Sequence, residues 1–155
     1  MTELFGTDRF DLWPHLASLL LAYVLALPIG WNREKEERSA GIRTFPLVAV
    51  ASCGFLQACE GIIGDNPEAT ARVVEGLITG MGFIGGGAIL KVKDSVRGTA
   101  TAASLWVTGA IGLAVGLGAI DVAVMLTVLA FFTLSLLSPL KGLIIREPGP
   151  PPDKE

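Results

Sequence analysis

One histidine, one tyrosine and two cysteines are all that this chain of 155 residues holds of those types, and each scarcity closes a route. His15 has no second histidine with which to build a zinc cluster, and no nucleophile–base pair stands out. No catalytic residues are therefore assigned, and the chain is not expected to be an enzyme. Cys53 and Cys59 lie six positions apart in one apolar run, about 9 Å along a helix axis, too far for a disulfide. They read as small buried apolar residues. Long polar stretches are missing too. The longest connection between apolar runs is about a dozen residues, so no soluble catalytic domain is expected. No basic tract with interleaved aromatics occurs, which argues against a nucleic-acid partner. Acidic Glu3, Asp8 and Asp11 precede the first apolar run and basic residues follow it, the reverse of a signal peptide's charge order.

What the chain does hold is apolar runs. Hydrophobic residues make up 51% of it, and the mean hydropathy is +0.58. Five stretches stand out, Leu12 to Trp31, Phe45 to Gly64, Val73 to Leu90, Ala100 to Leu117 and Val122 to Ser138. Each is roughly 17–20 residues, near the thickness of a bilayer's hydrocarbon core when helical. Backbone groups in lipid must be satisfied within the segment, so runs of this length are helices. The net charge of −3 matters less than where the charges lie. With the N-terminus outside, the cytoplasmic segments hold Arg33, Lys35, Arg38, Arg43, Lys91, Lys93, Arg97, Lys141, Arg146 and Lys154, and the outer side only Arg9 and Arg72. That asymmetry follows the positive-inside rule. The expected architecture is all-α, a polytopic membrane protein with five transmembrane helices, N-terminus outside and C-terminus cytoplasmic. Residues 1–141 form the transmembrane domain, and 142–155, rich in proline, a disordered tail.

Punctuation supports these boundaries. Pro14 and Pro46 stand in first turns, where a missing donor costs nothing, and Pro28 is expected to kink the end of span one. Asp65-Asn66-Pro67 signals a turn. Gly118 to Asp121 leaves so short a connection that spans four and five should be antiparallel neighbours. Span five, rich in Leu, Val and Phe, is expected to face lipid.

Three sets of residues are candidates for function. Spans three and four are dense in glycine. Gly80, Gly82, Gly85, Gly86, Gly87 and Gly112 are assigned to close helix packing, in the core of the bundle or of an oligomer. Gly80-Met81-Gly82-Phe83-Ile84-Gly85 also spells a dinucleotide-binding fingerprint, but it lacks the strand before it and lies inside a span; a break in the helix is a third reading. Polar faces form the second set: Cys53, Gln57 and Glu60 in span two, Glu75, Thr79, Gly82 and Gly86 in span three, Thr101, Ser104, Thr108 and Gly112 in span four. Glu60 and Glu75 flank one outer turn, where two carboxylates attract a cation such as Mg2+ or share a proton. The bland alternative is that both are solvated among headgroups. The third set faces the cytoplasm: Asn32, Arg33, Glu34, Arg38, Arg43, Thr44, Arg97 and Thr101. Arg43-Thr44 and Arg97-Gly98-Thr99 each open a helix, where free N–H groups and the helix dipole favour an anion. A phosphate, a lipid headgroup or an internal carboxylate such as Glu34 would satisfy them.

The order Gly30-x-Asn32-Arg33 … Arg38-x-Ala40-Gly41-Ile42-Arg43-Thr44, then Gly80-x-Gly82-Phe83-Ile84-Gly85-Gly86-Gly87, then Val96-Arg97-Gly98 … Thr101-Ala102-Ala103-Ser104-Leu105-Trp106 and Gly109-Ala110-Ile111-Gly112 resembles the MgtC/SapB family of bacterial inner-membrane proteins. The resemblance covers roughly residues 12 to 138. Relatives commonly carry an acidic residue where Asn32 stands and Asn where Ser95 stands, and can add a C-terminal ACT-like domain. The resemblance implies magnesium homeostasis under magnesium limitation or acid stress, with a link to virulence in pathogens. Two mechanisms follow from it. One is ion transport or sensing through the polar faces of spans two to four. The other is a non-transporting regulator of a membrane complex such as ATP synthase or a cation transporter. Expected partners are membrane lipid, a second copy in a homo-oligomer, with a dimer favoured, and a regulated membrane protein. No cofactor is expected beyond Mg2+ as a possible ligand.

Overall fold

The computed structural model describes residues 12–35, 40–64, 66–92 and 95–144, without side-chain detail for 62–63, 92, 95 and 138–144. Five helices follow one another: α1 (Leu12–Lys35), α2 (Thr44–Ile63), α3 (Pro67–Gly87), α4 (Thr99–Gly116) and α5 (Ile120–Ile144). Between α3 and α4 lie two short strands, β1 (Leu90–Val92) and β2 (Ser95–Arg97), paired antiparallel with Leu90 opposite Arg97 and Val92 opposite Ser95. The sequence reading had no strand here. Small polar-apolar alternation from Lys91 to Arg97 is its only trace. Arg38, Lys93, Asp94, Asp65 and the tail beyond residue 144 lie outside the described residues. Gly142 to Ile144, assigned from sequence to the tail, continue α5.

Helices α1, α4 and the Ile120–Leu137 stretch of α5 are long and apolar enough to cross a membrane. The chain is an all-α membrane protein in its architecture. Pro28 lies inside α1 without ending it. Asn66 caps α3 by accepting from the Glu68 and Ala69 N–H groups at 3.0 and 3.2 Å, and Pro67 takes the position where a donor is not needed. Gly118 adopts φ +77° between α4 and α5, a left-handed turn that a residue with a Cβ resists.

The axis of the bundle is α4, which packs on α1, α2, α3 and α5. Its hydrophobic residues would suit lipid, yet ten of its eighteen positions are buried. Small side chains make this possible. Gly112 lies so close to the Ala49 carbonyl of α2 that no Cβ fits, and Gly116 would meet Leu56 at 2.9 Å. Such backbone contact replaces the hydrophobic drive that is missing between helices in lipid. Helix α3 is peripheral, touching α4 and only the edge of α2. Within it just Met81 and Gly85 are buried. It runs unbroken through all its glycines, and no strand precedes them, so neither the dinucleotide fold nor the break considered from sequence is present.

Candidate functional site

The basic end of the bundle is built where α1 finishes and α2 begins. Gly30 lets the two chains touch: a Cβ there would lie 3.1 Å from the Ile42 Cα and 3.3 Å from the Gly41 carbonyl oxygen. One turn on, Glu34 reaches across and its Oε2 accepts from the Ile42 N–H at 3.1 Å. Gly41 lies directly under that carboxylate, leaving no room for a side chain. The Gly41 carbonyl then takes the Thr44 and Phe45 N–H groups at 3.0 and 3.2 Å, and Pro46 has none to offer. Of the three occupants considered for the start of α2, the internal carboxylate Glu34 lies just before it, on the Ile42 N–H. Two of the donors that sequence reasoning anticipated at this helix start, the Thr44 and Phe45 N–H groups, are thus used by Gly41.

Arg33 is the largest side chain in the interior, at 1% exposure. Its Nη2 donates to the Asn32 Oδ1 at 3.1 Å, while the Asn32 Nδ2 donates to the Ser135 Oγ of α5 at 3.2 Å. Asn32 thus links the buried guanidinium to α5, using both faces of its amide. An acidic residue in its place would accept from Arg33 but have no donor for Ser135. Lys35 stacks over Trp31, its Nζ 5.5 Å from the ring centroid.

The remaining basic-end candidates are not drawn into this knot. Arg43 is exposed at the N-cap of α2 with no side-chain capping bond, and Thr44 beside it is half-buried. Arg97 is exposed on β2. Gly98, at φ +91°, brings the hairpin's end against the Ala88 carbonyl and opens α4. Thr101 is buried in the first turn of α4.

At the opposite end Glu60 faces α1. Its Oε2 lies 3.3 Å from the His15 Nε2, and Gln57 Nε2 donates to the His15 carbonyl at 3.2 Å. These groups, with Ser18 and Gly116, line a cavity of about 630 Å³. Glu75 takes no part. It lies on the outward side of α3 with Thr79, Gly82 and Gly86, whereas Val73, Gly76, Leu77 and Gly80 face α2. Among the described residues no group of three or more His, Cys, Asp or Glu could hold a metal ion. His15 as Glu60's partner was missed because 45 positions separate them.

Between the two ends the buried face of α4 carries hydroxyls. The Ser104 hydroxyl donates to the Thr101 carbonyl at 3.0 Å and Thr108 to the Ser104 carbonyl at 2.8 Å. The Ser104 and Thr108 hydroxyls thus donate to the backbone of their own helix. Below Gly116 the α2–α4 seam is filled by Ala49, Cys53, Ile111 and Gly112. Among glycines assigned to packing, Gly85 meets the Ala102 carbonyl at 3.4 Å and Gly112 meets Ala49, while Gly80, Gly82, Gly86 and Gly87 have no atom of the described chain within 4 Å of a Cβ position. Between α2 and α3 a lateral groove of about 920 Å³ stays open, with Arg43 and Thr44 at its basic end.

The model of the MgtC family matches residues 19–143. Among curated proteins, the chain is 40% identical to Protein SrpB of Synechococcus elongatus over 81% of its length and 74% of that protein. It is 39% identical to Protein MgtC of Brucella abortus over 81% of its length and 52% of that protein. With Protein MgtC of Salmonella typhimurium the identity is 34%, over 79% of this chain and 52% of the relative. The chain thus spans about half the length of the MgtC proteins it matches. No solved structure matches it.

Proposed function

The chain belongs to the MgtC family, and from that premise we propose that it is a non-conducting regulator in magnesium homeostasis. It would sit as a multi-pass protein in the bacterial inner membrane, its basic end in the cytoplasm, and act on another membrane complex such as a cation transporter or ATP synthase. The observation that carries this reading is the closed seam between α2 and α4. Gly112 lies against the Ala49 carbonyl and Ala49, Cys53 and Ile111 pack around it, so these seam residues offer no side-chain oxygen in place of hydration. An ion crossing a bilayer needs such replacements for its water. The outward face of α3, where Gly82 and Gly86 leave backbone uncovered, is suited to close approach by the regulated complex or by a second copy.

The test is reconstitution of the purified chain into liposomes loaded with a Mg2+ indicator, alongside complementation of growth at low magnesium. Complementation without flux above empty vesicles is expected. Flux that scales with protein would overturn the proposal. It would favour the second reading, ion transport or sensing, for which the His15–Glu60 cavity is the specific support. In that case the flux should fall in Glu60→Gln.

A further inference from the structure

The groove between α2 and α3, of about 920 Å³, is a cavity that no part of the proposed function uses. It runs from Arg43 to Cys59 along α2, sixteen positions, or roughly 24 Å at helical rise. Its floor is shaped by what α3 lacks. Gly76 and Gly80 face it, and a Cβ at either would meet nothing within 4 Å. Its walls are apolar, with Leu47, Phe55 and Ile84 prominent. Ser52, one of the few polar groups along it, already donates to the Val48 carbonyl at 2.9 Å. Nothing in the middle of the groove asks for a polar partner.

Charge appears at one end only. Arg43 is the sole charged residue of the lining, and no described carboxylate pairs with it, the His15–Glu60 contact being the one ion pair among the described residues. The Gly41 carbonyl already takes the Thr44 and Phe45 N–H groups, so an anion arriving here would be held by the guanidinium and the neighbouring Thr44 hydroxyl. A long apolar slot, open sideways in a membrane protein and ending at one unpaired arginine, has the polarity of a phospholipid: tail along the slot, phosphate at the fork. A partner helix fits this pattern less well, because it would bring no anion to Arg43 by necessity.

We propose that the α2–α3 groove is a binding site for an anionic phospholipid, its acyl chain over Gly76 and Gly80 and its headgroup phosphate on Arg43. The site lies on the side of α3 away from Gly82 and Gly86, so it goes beyond the regulatory reading and does not depend on it.

Native mass spectrometry of the full chain, released from vesicles of equal phosphatidylglycerol and phosphatidylcholine, reads retained lipid and chain number together. The wild-type protein should keep phosphatidylglycerol over phosphatidylcholine by about fivefold, the factor one arginine near an anionic headgroup supplies. Arg43→Gln should bring that ratio close to one, while Lys35→Gln, which removes a charge from the same end outside the groove, should leave it. Gly80→Leu should expel both lipids without changing the number of chains. Three results would overturn the proposal. One is equal retention of the two lipids by wild type. A second is loss of selectivity in Lys35→Gln as complete as in Arg43→Gln. The third is an oligomer that Gly80→Leu splits while selectivity persists, which would make the groove a helix–helix seam. Should Arg43→Gln fail to fold, the wild-type ratio and Gly80→Leu decide the matter. Lipid retention and magnesium flux are separate readouts, so either proposal can fail alone.

Discussion

Helices α3 and α4 are both rich in glycine, and they use it in opposite ways. In α4, Gly109, Gly112 and Gly116 are each filled from outside, by Met81, by the Ala49 carbonyl and by Leu56. In α3, Gly76, Gly80, Gly82, Gly86 and Gly87 face no atom of the described chain, and Gly85 alone touches a neighbour. A small-xxx-small pattern therefore says that a backbone can be approached, not that it is. The helix with partners on every side became the axis, and the helix with open glycine faces was left to meet lipid or protein.

The comparison is broken most severely at Gly112. Gly112→Ala drives a methyl into the Ala49 carbonyl, and backbone cannot step aside as a side chain does. A loss of about 3 kcal/mol is expected, read as a lowered unfolding midpoint in detergent. A similar unfolding series at the basic end should separate the buried arginine from the exposed ones. Asn32→Ala removes one acceptor of Arg33 and the donor to Ser135, at about 1 kcal/mol for the hydrogen bonds lost. Gly109→Ala meets only the flexible Met81 thioether, so about 1 kcal/mol is expected. If Gly109→Ala cost as much as Gly112→Ala, the distinction between side-chain and backbone neighbours would be lost.

The architecture was legible in the sequence because membrane helices announce themselves by length, apolarity and basic flanks. The start of α2 near Thr44 and the tight link at Gly118 followed from proline and glycine chemistry, whereas Asp65-Asn66-Pro67 was read only as a turn and the start of α3 at Pro67 was missed, because the apolar run begins at Val73. The basic-end motif was legible as an ordered set, but its inner workings were not. Charge alone does not tell that Arg33 is buried while Arg43 and Arg97 are exposed, because that depends on where α5 places Ser135, 103 positions from Asn32. His15 and Glu60 were each visible, and their meeting was not, for the same reason. The place of α3 at the edge was hidden by its composition, which resembles that of the packed α4. The hairpin at Leu90 to Arg97 was too short to stand out from a polar connection.

Smaller effects sharpen the contrast among exposed groups. Arg97→Lys, on the exposed hairpin, should leave the unfolding midpoint unchanged yet reduce growth at low magnesium if its planar fork clamps an anion. Arg43→Lys should behave likewise. Lys91→Arg should be silent in both assays. Full growth of both arginine variants would reduce them to orientation signals.

The most direct measurement compares unfolding midpoints of Gly112→Ala and Gly86→Ala in the same detergent. Gly86→Ala should match the wild type or exceed it, since alanine favours a helix over glycine by up to about 1 kcal/mol and nothing in the described chain opposes the added methyl. Gly112→Ala should fall well below both. Equal losses at the two positions would mean that α3 is as tightly enclosed as α4, contradicting the division between a packed axis and an open face.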